Sequence, residues 1–379
     1  MMPRWWPHAR AARSAALALA AASGCTGLFG FDDLRPAPAD AGAPACSHRT
    51  PPARPGVADA GGALDLVFAT SKVDFGDSDD PSGSPRYRSI GYDLDDTCTG
   101  EGQGPSCVEA ISASTVNHDD GIDGIDNASG QLLYDSNKAQ LGSATTFAQT
   151  AAETLIVRVQ GYSGTADDDA VVVSLYTGLA VQPRPDGTAA PLWDGKDRWL
   201  LDPSMMTASG SGALAPRFRD SSAYVIGWVL VVRLADASGP NALTQSNMAV
   251  KGFVMTARLV PVGTGWELRD GVNASRMRLS DALATMGRAP SPRLSSTEAG
   301  PPTPICASPV LYNLFKQRIC SYADISWGPD SPSSPCDALS LAAAFEAKQA
   351  QLGDLGPEPP PPPACAPGVT PDNDSCSSL

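Results

Sequence analysis

A succession of short apolar runs, rich in β-branched residues and separated by Gly, Pro and Asp, constrains this chain most. Residues 64–70 (LDLVFAT) follow Gly62, and residues 154–160 (TLIVRVQ) and 170–176 (AVVVSLY) flank the Gly/Asp-rich stretch 161–169. Further runs occupy 223–234 (AYVIGWVLVVRL) and 250–260 (VKGFVMTARLV). Apolar runs of this length that end at turn residues read as strands. Their alternation suits a sheet with one wet face. The two runs around 161–169 read as a β-hairpin with a long connection.

The Ala-rich piece 337–348 is ambiguous. Alanine favours helix, yet Leu339, Leu341, Ala343, Phe345 and Ala347 share one face of a strand, and we read it as a strand. Two segments read as helices. In 280–287, Ser280 caps the start and Gly287 the end. In 308–319, Pro309 suits the first turn and Val310, Leu311, Leu314, Phe315 and Arg318 form one stripe. The expected fold is mainly β: an antiparallel β-sandwich or jelly-roll-like domain over 63–352, with a small helical insert at about 280–320. The Ser/Pro stretch 289–304 is a surface connection. Residues 353–379, with the proline run Pro359 to Pro363, are expected to form an extended tail.

The N-terminus carries a different signal. Residues 1–24 combine Arg4, Arg10 and Arg13, no acid, a short Ala/Leu run and the small residues Ser23 and Gly24 before Cys25. This reads as a secretory signal peptide. The cysteine behind it resembles the lipobox of bacterial lipoproteins, which implies lipidation at Cys25. Roughly nine apolar residues are far short of the ~20 that a spanning helix needs, so the expected membrane contact is the N-terminal lipid. Residues 25–62, rich in Ala, Pro and Gly, read as a tether.

Without residues 1–24 the chain keeps 24 Lys+Arg against 41 Asp+Glu, a net charge near −17. Such a surface repels phosphates and excludes a nucleic-acid partner. With Cys25 set aside for lipid, eight cysteines remain: Cys46, Cys98, Cys107, Cys306, Cys320, Cys336, Cys365 and Cys376. An even number in an exported chain implies disulfides, although sequence alone does not fix the pairing. Cys98–Cys107 and Cys306–Cys320 are the local pairs that spacing offers, and Cys365 and Cys376 pin the tail if they pair. No Cys-x-x-Cys pair or Cys/His cluster stands in the sequence.

The densest polar motif is 118–127 (HDDGIDGIDN). Asp119, Asp120, Asp123, Asp126 and Asn127 supply hard oxygen donors, and Gly121 and Gly124 let the backbone turn. Calcium takes six to eight such oxygens, so the loop is a candidate Ca²⁺ site, although it lacks the spacing of an EF-hand. A solvated Asp-Gly loop is the alternative. The acids at 74–80 and 93–96 are placed to approach it.

Catalytic signatures are sparse. Past residue 24 the only histidines are His48 and His118, and no Gly-x-Ser-x-Gly elbow, P-loop, dinucleotide fingerprint or His-Glu-x-x-His is present. Among the tryptophans, Trp228 reads as core, while Trp193 and Trp199 lie in a polar stretch suited to stacking a sugar.

Four stretches, 27–34 (GLFGFDDL), 91–98 (GYDLDDTC), 120–127 (DGIDGIDN) and 335–340 (PCDALS), resemble a set of uncharacterised surface lipoproteins of myxobacteria. That resemblance implies a cell-envelope location and one continuous domain, and no activity. The expectation is a lipid-anchored envelope protein whose β-domain binds an extracytoplasmic ligand or protein. The alternative is a polysaccharide-active hydrolase using paired carboxylates.

Overall fold

A computed structural model describes residues 46–378, except 55, 57–60, 101–102, 112–114, 139–153, 188, 209–213, 242–245, 290, 292–302 and 359–363. The elements in chain order are β1 (Leu64–Asp74), α1 (Ala128–Lys138), β2 (Thr154–Tyr162), β3 (Asp168–Val181), β4 (Arg198–Leu201) and β5 (Met206–Ala208). They continue with β6 (Leu214–Pro216), β7 (Phe218–Ile226), β8 (Val229–Asn241), β9 (Ser246–Val262), β10 (Gly265–Arg278) and α2 (Leu279–Arg288). Last come α3 (Pro309–Ser321), β11 (Ala338–Gln349) and β12 (Gln351–Leu355).

The chain is mainly β, as expected, but it is not a sandwich or a jelly roll. Strands follow the order β3-β2-β1-β11-β10-β9-β8-β7, and β7 pairs back onto β3. All these pairings are antiparallel, so the sheet closes into an eight-stranded barrel. Closure rests on the length of β3. Its first half takes β7, from Asp168↔Val225 to Leu175↔Phe218, while its last residues take β4, from Gly178↔Leu201 to Val181↔Trp199. One long edge therefore serves two neighbours and leaves β7 no free edge.

The hairpin of β2 and β3 and the strand over 337–348 form as the alternation indicates. The run 223–234 differs, because it is two strands. Ile226 pairs with Val229 across a two-residue turn in which Gly227 and Trp228 both adopt left-handed backbone, φ 55° and 69°. This turn geometry matches the twist of adjacent strands. Trp228 is thus half-buried at a turn apex and not in the core, its ring 6.2 Å from Trp266.

The barrel interior is filled. Alternate residues point inward from every strand, among them Phe68, Leu230, Met255, Leu259 and Leu268, each almost inaccessible to solvent. Each such side chain contributes about 1.5–3 kcal/mol of burial. Gly271 sits at a β10 bulge where a Cβ would fall 2.6 Å from the Phe345 ring, so only glycine admits that ring. Outward positions carry charges such as the Asp65–Arg158 pair. Apolar-in and polar-out is the inverse of a transmembrane barrel. Among the described residues no helix is long and apolar enough to cross a membrane.

Three helices cover one end. Ser308 caps α3 by accepting from Leu311 N–H at 3.3 Å, with Pro309 in the first turn. The expected stripe is split: Val310 and Leu314 point outward, 82% and 59% exposed, while Leu311 and Phe315 are half-buried against Ile305, Cys306 and Tyr312. Tyr312, Lys316, Ile319 and Cys320 are buried, because the tail docks there: Asp374 binds Lys316 Nζ at 2.6 Å and Tyr312 Oη at 2.9 Å. In α2, Ser280 lies inside the first turn and Gly287 inside the last. The tail is not simply extended. It opens with β12, parallel to β4, and later forms a short 3-10 turn at Pro371–Asn373.

All eight cysteines expected to pair do so, with partners distant in sequence: Cys46–Cys98, Cys107–Cys336, Cys306–Cys365 and Cys320–Cys376. The local pairs Cys98–Cys107 and Cys306–Cys320 do not form, while Cys365 and Cys376 each pair with a residue of the domain and pin the tail as expected. Each bond joins a loop or tail to a helix, arm or strand start, where spacing along the chain says nothing. Four disulfides belong to an oxidising, extracytoplasmic compartment.

Candidate functional site

The described residues of segment 90–127 lie on the outer face of the barrel. Ile90, Tyr92 and half-buried Leu94 pack on Val254, Ala274 and Ala342 of β9, β10 and β11. Tyr92 Oη also bonds Thr256 Oγ1 at 2.5 Å. Alternation along 90–95 that sends these apolar side chains to the barrel turns Asp93 and Asp95 to the other side, under the loop 119–127.

Three carboxylates meet there. Asp93, Asp95 and Asp126 are buried, and one oxygen from each lies within 4.8 Å of the others. Backbone amides hold them in place: Asp126 Oδ2 accepts from Leu94 N–H at 2.6 Å, Asp95 Oδ1 from Thr97 N–H at 2.9 Å and Asp93 Oδ1 from Asp95 N–H at 3.2 Å. Gly124 makes room, because a Cβ there would meet Asp93 Oδ2 and Cys98 Sγ at 2.8 Å. The Ser106 hydroxyl faces Asp95, is 5% exposed as a residue, and has no hydrogen bond of sound geometry.

Two more aspartates flank the group, Asp120 buried and Asp324 half-buried. Asp120 accepts from Thr99 N–H at 2.7 Å, and Asp324 from Ser340 N–H at 2.9 Å and from the Ser340 hydroxyl. Burial is the leading effect on Asp95, Asp120, Asp126 and Asp324. It pushes the Asp95 carboxyl up to about 6, Asp324 up to about 7 and Asp120 up to about 8. Asp126 rises well above the usual carboxylate range by burial, reinforced by Asp95, Asp120 and Asp324. The nearest buried cation is Arg276, which is committed to Asp330 at 2.6 and 2.7 Å and to the carbonyls of Ser326 and Leu94. Asp93 pairs with His48, whereas Asp95, Asp120 and Asp126 have no ion-pair partner among the described residues, and the alternatives for them are protons or a bound cation.

Of the five candidate ligands, only Asp126 joins the triad. Asp120 stands beside it. Asp119 is exposed and accepts from Asn117 Nδ2 at 2.9 Å, and Asp123 accepts from Ser47 Oγ at 2.9 Å. Asn127 is fully used as a scaffold. Its Oδ1 caps α1 by accepting from Gly130 N–H at 3.0 Å, and its Nδ2 donates to the Ile90 carbonyl at 3.0 Å. The acids at 93–96 do converge on the loop, whereas Asp77 and Asp79 instead bind Asn137, Tyr134 and Lys138 of α1. The sequence marks Asp324 only as a lone carboxylate in an apolar stretch, Ala323-Asp324-Ile325.

His118 lines a space of about 10 Å³ with Tyr87, Asp120 and Asp324, enough for one water-sized occupant. Burial lowers its imidazole pKa, and its Nε2 is buried without a partner, so it holds no serine there. Trp199 is fully buried and is no stacking platform, while Trp193 is half-buried beside it at 5.9 Å.

Residues 1–45, with Cys25 and the expected signal segment, lie outside the described residues. Residues 46–54 run along the domain. Besides the Cys46–Cys98 bond, His48 pairs with Asp93, Arg49 donates to the Ser89 carbonyl at 2.8 Å and Arg54 donates to the Asp169 carbonyl at 2.9 Å. No family model, curated protein or solved structure matches this chain.

Proposed function

We propose that this chain is a lipid-anchored module of the bacterial cell envelope whose outer-face loop 90–127 is organised by a divalent cation, and which acts by binding an extracytoplasmic partner. The observation that carries the cation is the triad Asp93, Asp95 and Asp126, three buried carboxylates within 4.8 Å of one another. Hard oxygen donors of this kind select calcium over softer metals. Burial inside a packed shell suits a structural ion and not a reaction with a polymer, so the geometry gives the hydrolase alternative no support. The filled barrel leaves the outer surface to do the binding. The anchor rests on the segment ending at Cys25 and on the resemblance to myxobacterial surface lipoproteins.

Two experiments test this reading. A ligand that binds only the folded state at 100 times its Kd stabilises it by about 2.7 kcal/mol. Melting the oxidised domain in excess chelator and in millimolar calcium should therefore separate by several degrees, and superimposable curves would remove the cation. Cys25→Ser should move the protein out of the membrane fraction, and retention there would remove the lipid anchor.

A further inference from the structure

A second group of ligating atoms lies where the N-terminal arm meets the barrel, and it goes beyond the calcium reading. Cys46 Sγ, Cys98 Sγ and a ring nitrogen of His48 all lie within 4.8 Å of one another. His48 Nδ1 is 3.8 Å from Cys98 Sγ and in contact with the Asp93 carboxylate. In the oxidised chain the two sulfurs are bonded to each other and ligate nothing. We propose that reduction of Cys46–Cys98 by a dithiol opens a zinc site, with Cys46, Cys98 and His48 as ligands and Asp93 in the fourth position.

The donor set is that of zinc. Thiolate and imidazole with one carboxylate make a tetrahedral arrangement that hard cations do not favour. The chemistry balances in two steps. A dithiol transfers two electrons and two protons to the S–S bond, leaving two thiols here and a disulfide on the reductant. Zinc then displaces both thiol protons, and the proton between His48 Nδ1 and Asp93 leaves with them.

Position favours this bond among the four. Cys46 is half-buried and His48 is exposed, so reductant and metal have a way in. Both cysteines lie outside the barrel strands, and Arg49 and Arg54 keep the arm seated when the sulfurs separate. No other disulfide has a histidine in a ligating cluster with it among the described residues.

The test uses the folded chain treated with limiting dithiothreitol, then desalted without air and titrated with Co²⁺ as a spectroscopic probe and with Zn²⁺ under native mass spectrometry. Alkylation is expected at Cys46 and Cys98 ahead of the six cysteines in the other three disulfides, with far-ultraviolet circular dichroism unchanged. One equivalent of Co²⁺ should then bind with thiolate charge-transfer bands of a tetrahedral site, and none should bind before reduction. His48→Ala, which keeps the disulfide, should weaken binding at least about tenfold, and the C46S/C98S double variant should abolish it. Loss of the fold on opening, absence of the bands, or equal bands in the double variant each overturns the proposal. Calcium-dependent melting of the oxidised protein is measured without reductant, so the two readings fail separately.

Discussion

The inside of the barrel and the patch on its outer face are built by opposite means. Inside, apolar side chains from eight strands fill the space. Outside, segment 90–127 carries four buried aspartates, Asp93, Asp95, Asp120 and Asp126, around a few apolar anchors, and covalent bonds through Cys98 and Cys107 hold it down. The first region gains stability by excluding water. The second costs stability through desolvated charge and needs staples, amides and counter-ions to persist.

That contrast can be broken experimentally. The largest effect is expected inside: Phe68→Ala, at a site with no solvent access, should cost about 3–5 kcal/mol in denaturant unfolding. Removing the 107–336 staple as C107S/C336S should cost about 2–5 kcal/mol, and a smaller loss would mean that packing alone seats the patch.

Next comes charge. In chelator, Asp324 and Asp120 hold protons in the folded state up to about pH 7 and 8, whereas an unfolded carboxyl has lost its proton by about pH 5. The folded state then binds more protons, so stability should fall as pH rises from about 5 to 8. Calcium should flatten that decline, and a melting temperature in chelator that climbs over this window would contradict the protonated patch. Asp126→Asn should match or exceed the parent in chelator at pH 8, because burial already disfavours its charge, yet lose the gain from calcium. The smallest effect belongs to Val310→Ser on the exposed part of the α3 stripe, expected within about 0.5 kcal/mol of the parent. A loss of 2 kcal/mol would mean the stripe is covered.

Much of the barrel is legible in the sequence and little of the patch is. Alternation identifies β2, β3, β9 and β11, since a strand with one buried face must alternate. It does not distinguish a barrel from a sandwich, because closure depends on β3 meeting β7 across some fifty residues of chain, and both architectures need the same local pattern. The helix α1 escapes notice because it buries only Ala128 and Gly130 and offers almost no apolar periodicity. The facing of α3 is set by Asp374 and Cys376 from the far end of the chain, which its own stripe cannot foretell. In the patch, the density of acids at 118–127 marks the right neighbourhood. The triad, however, takes two of its three members from 93–95, which only tertiary packing brings close.

Under the proposed anchor at Cys25, the Cys46–Cys98 bond also determines how the molecule bears load. For a chain held at Cys25, the span to Cys46 reaches at most about 70 Å when fully drawn out. Tension arriving along it enters the fold at the loop carrying Cys98 and bypasses residues 55–63. It does not reach β1 end-on, where it would unzip the strand from β2 and β11 one hydrogen bond at a time. A covalent bond thus diverts traction from the weakest direction of the sheet into its side wall, and opening that bond would let the same pull peel the barrel from its first strand.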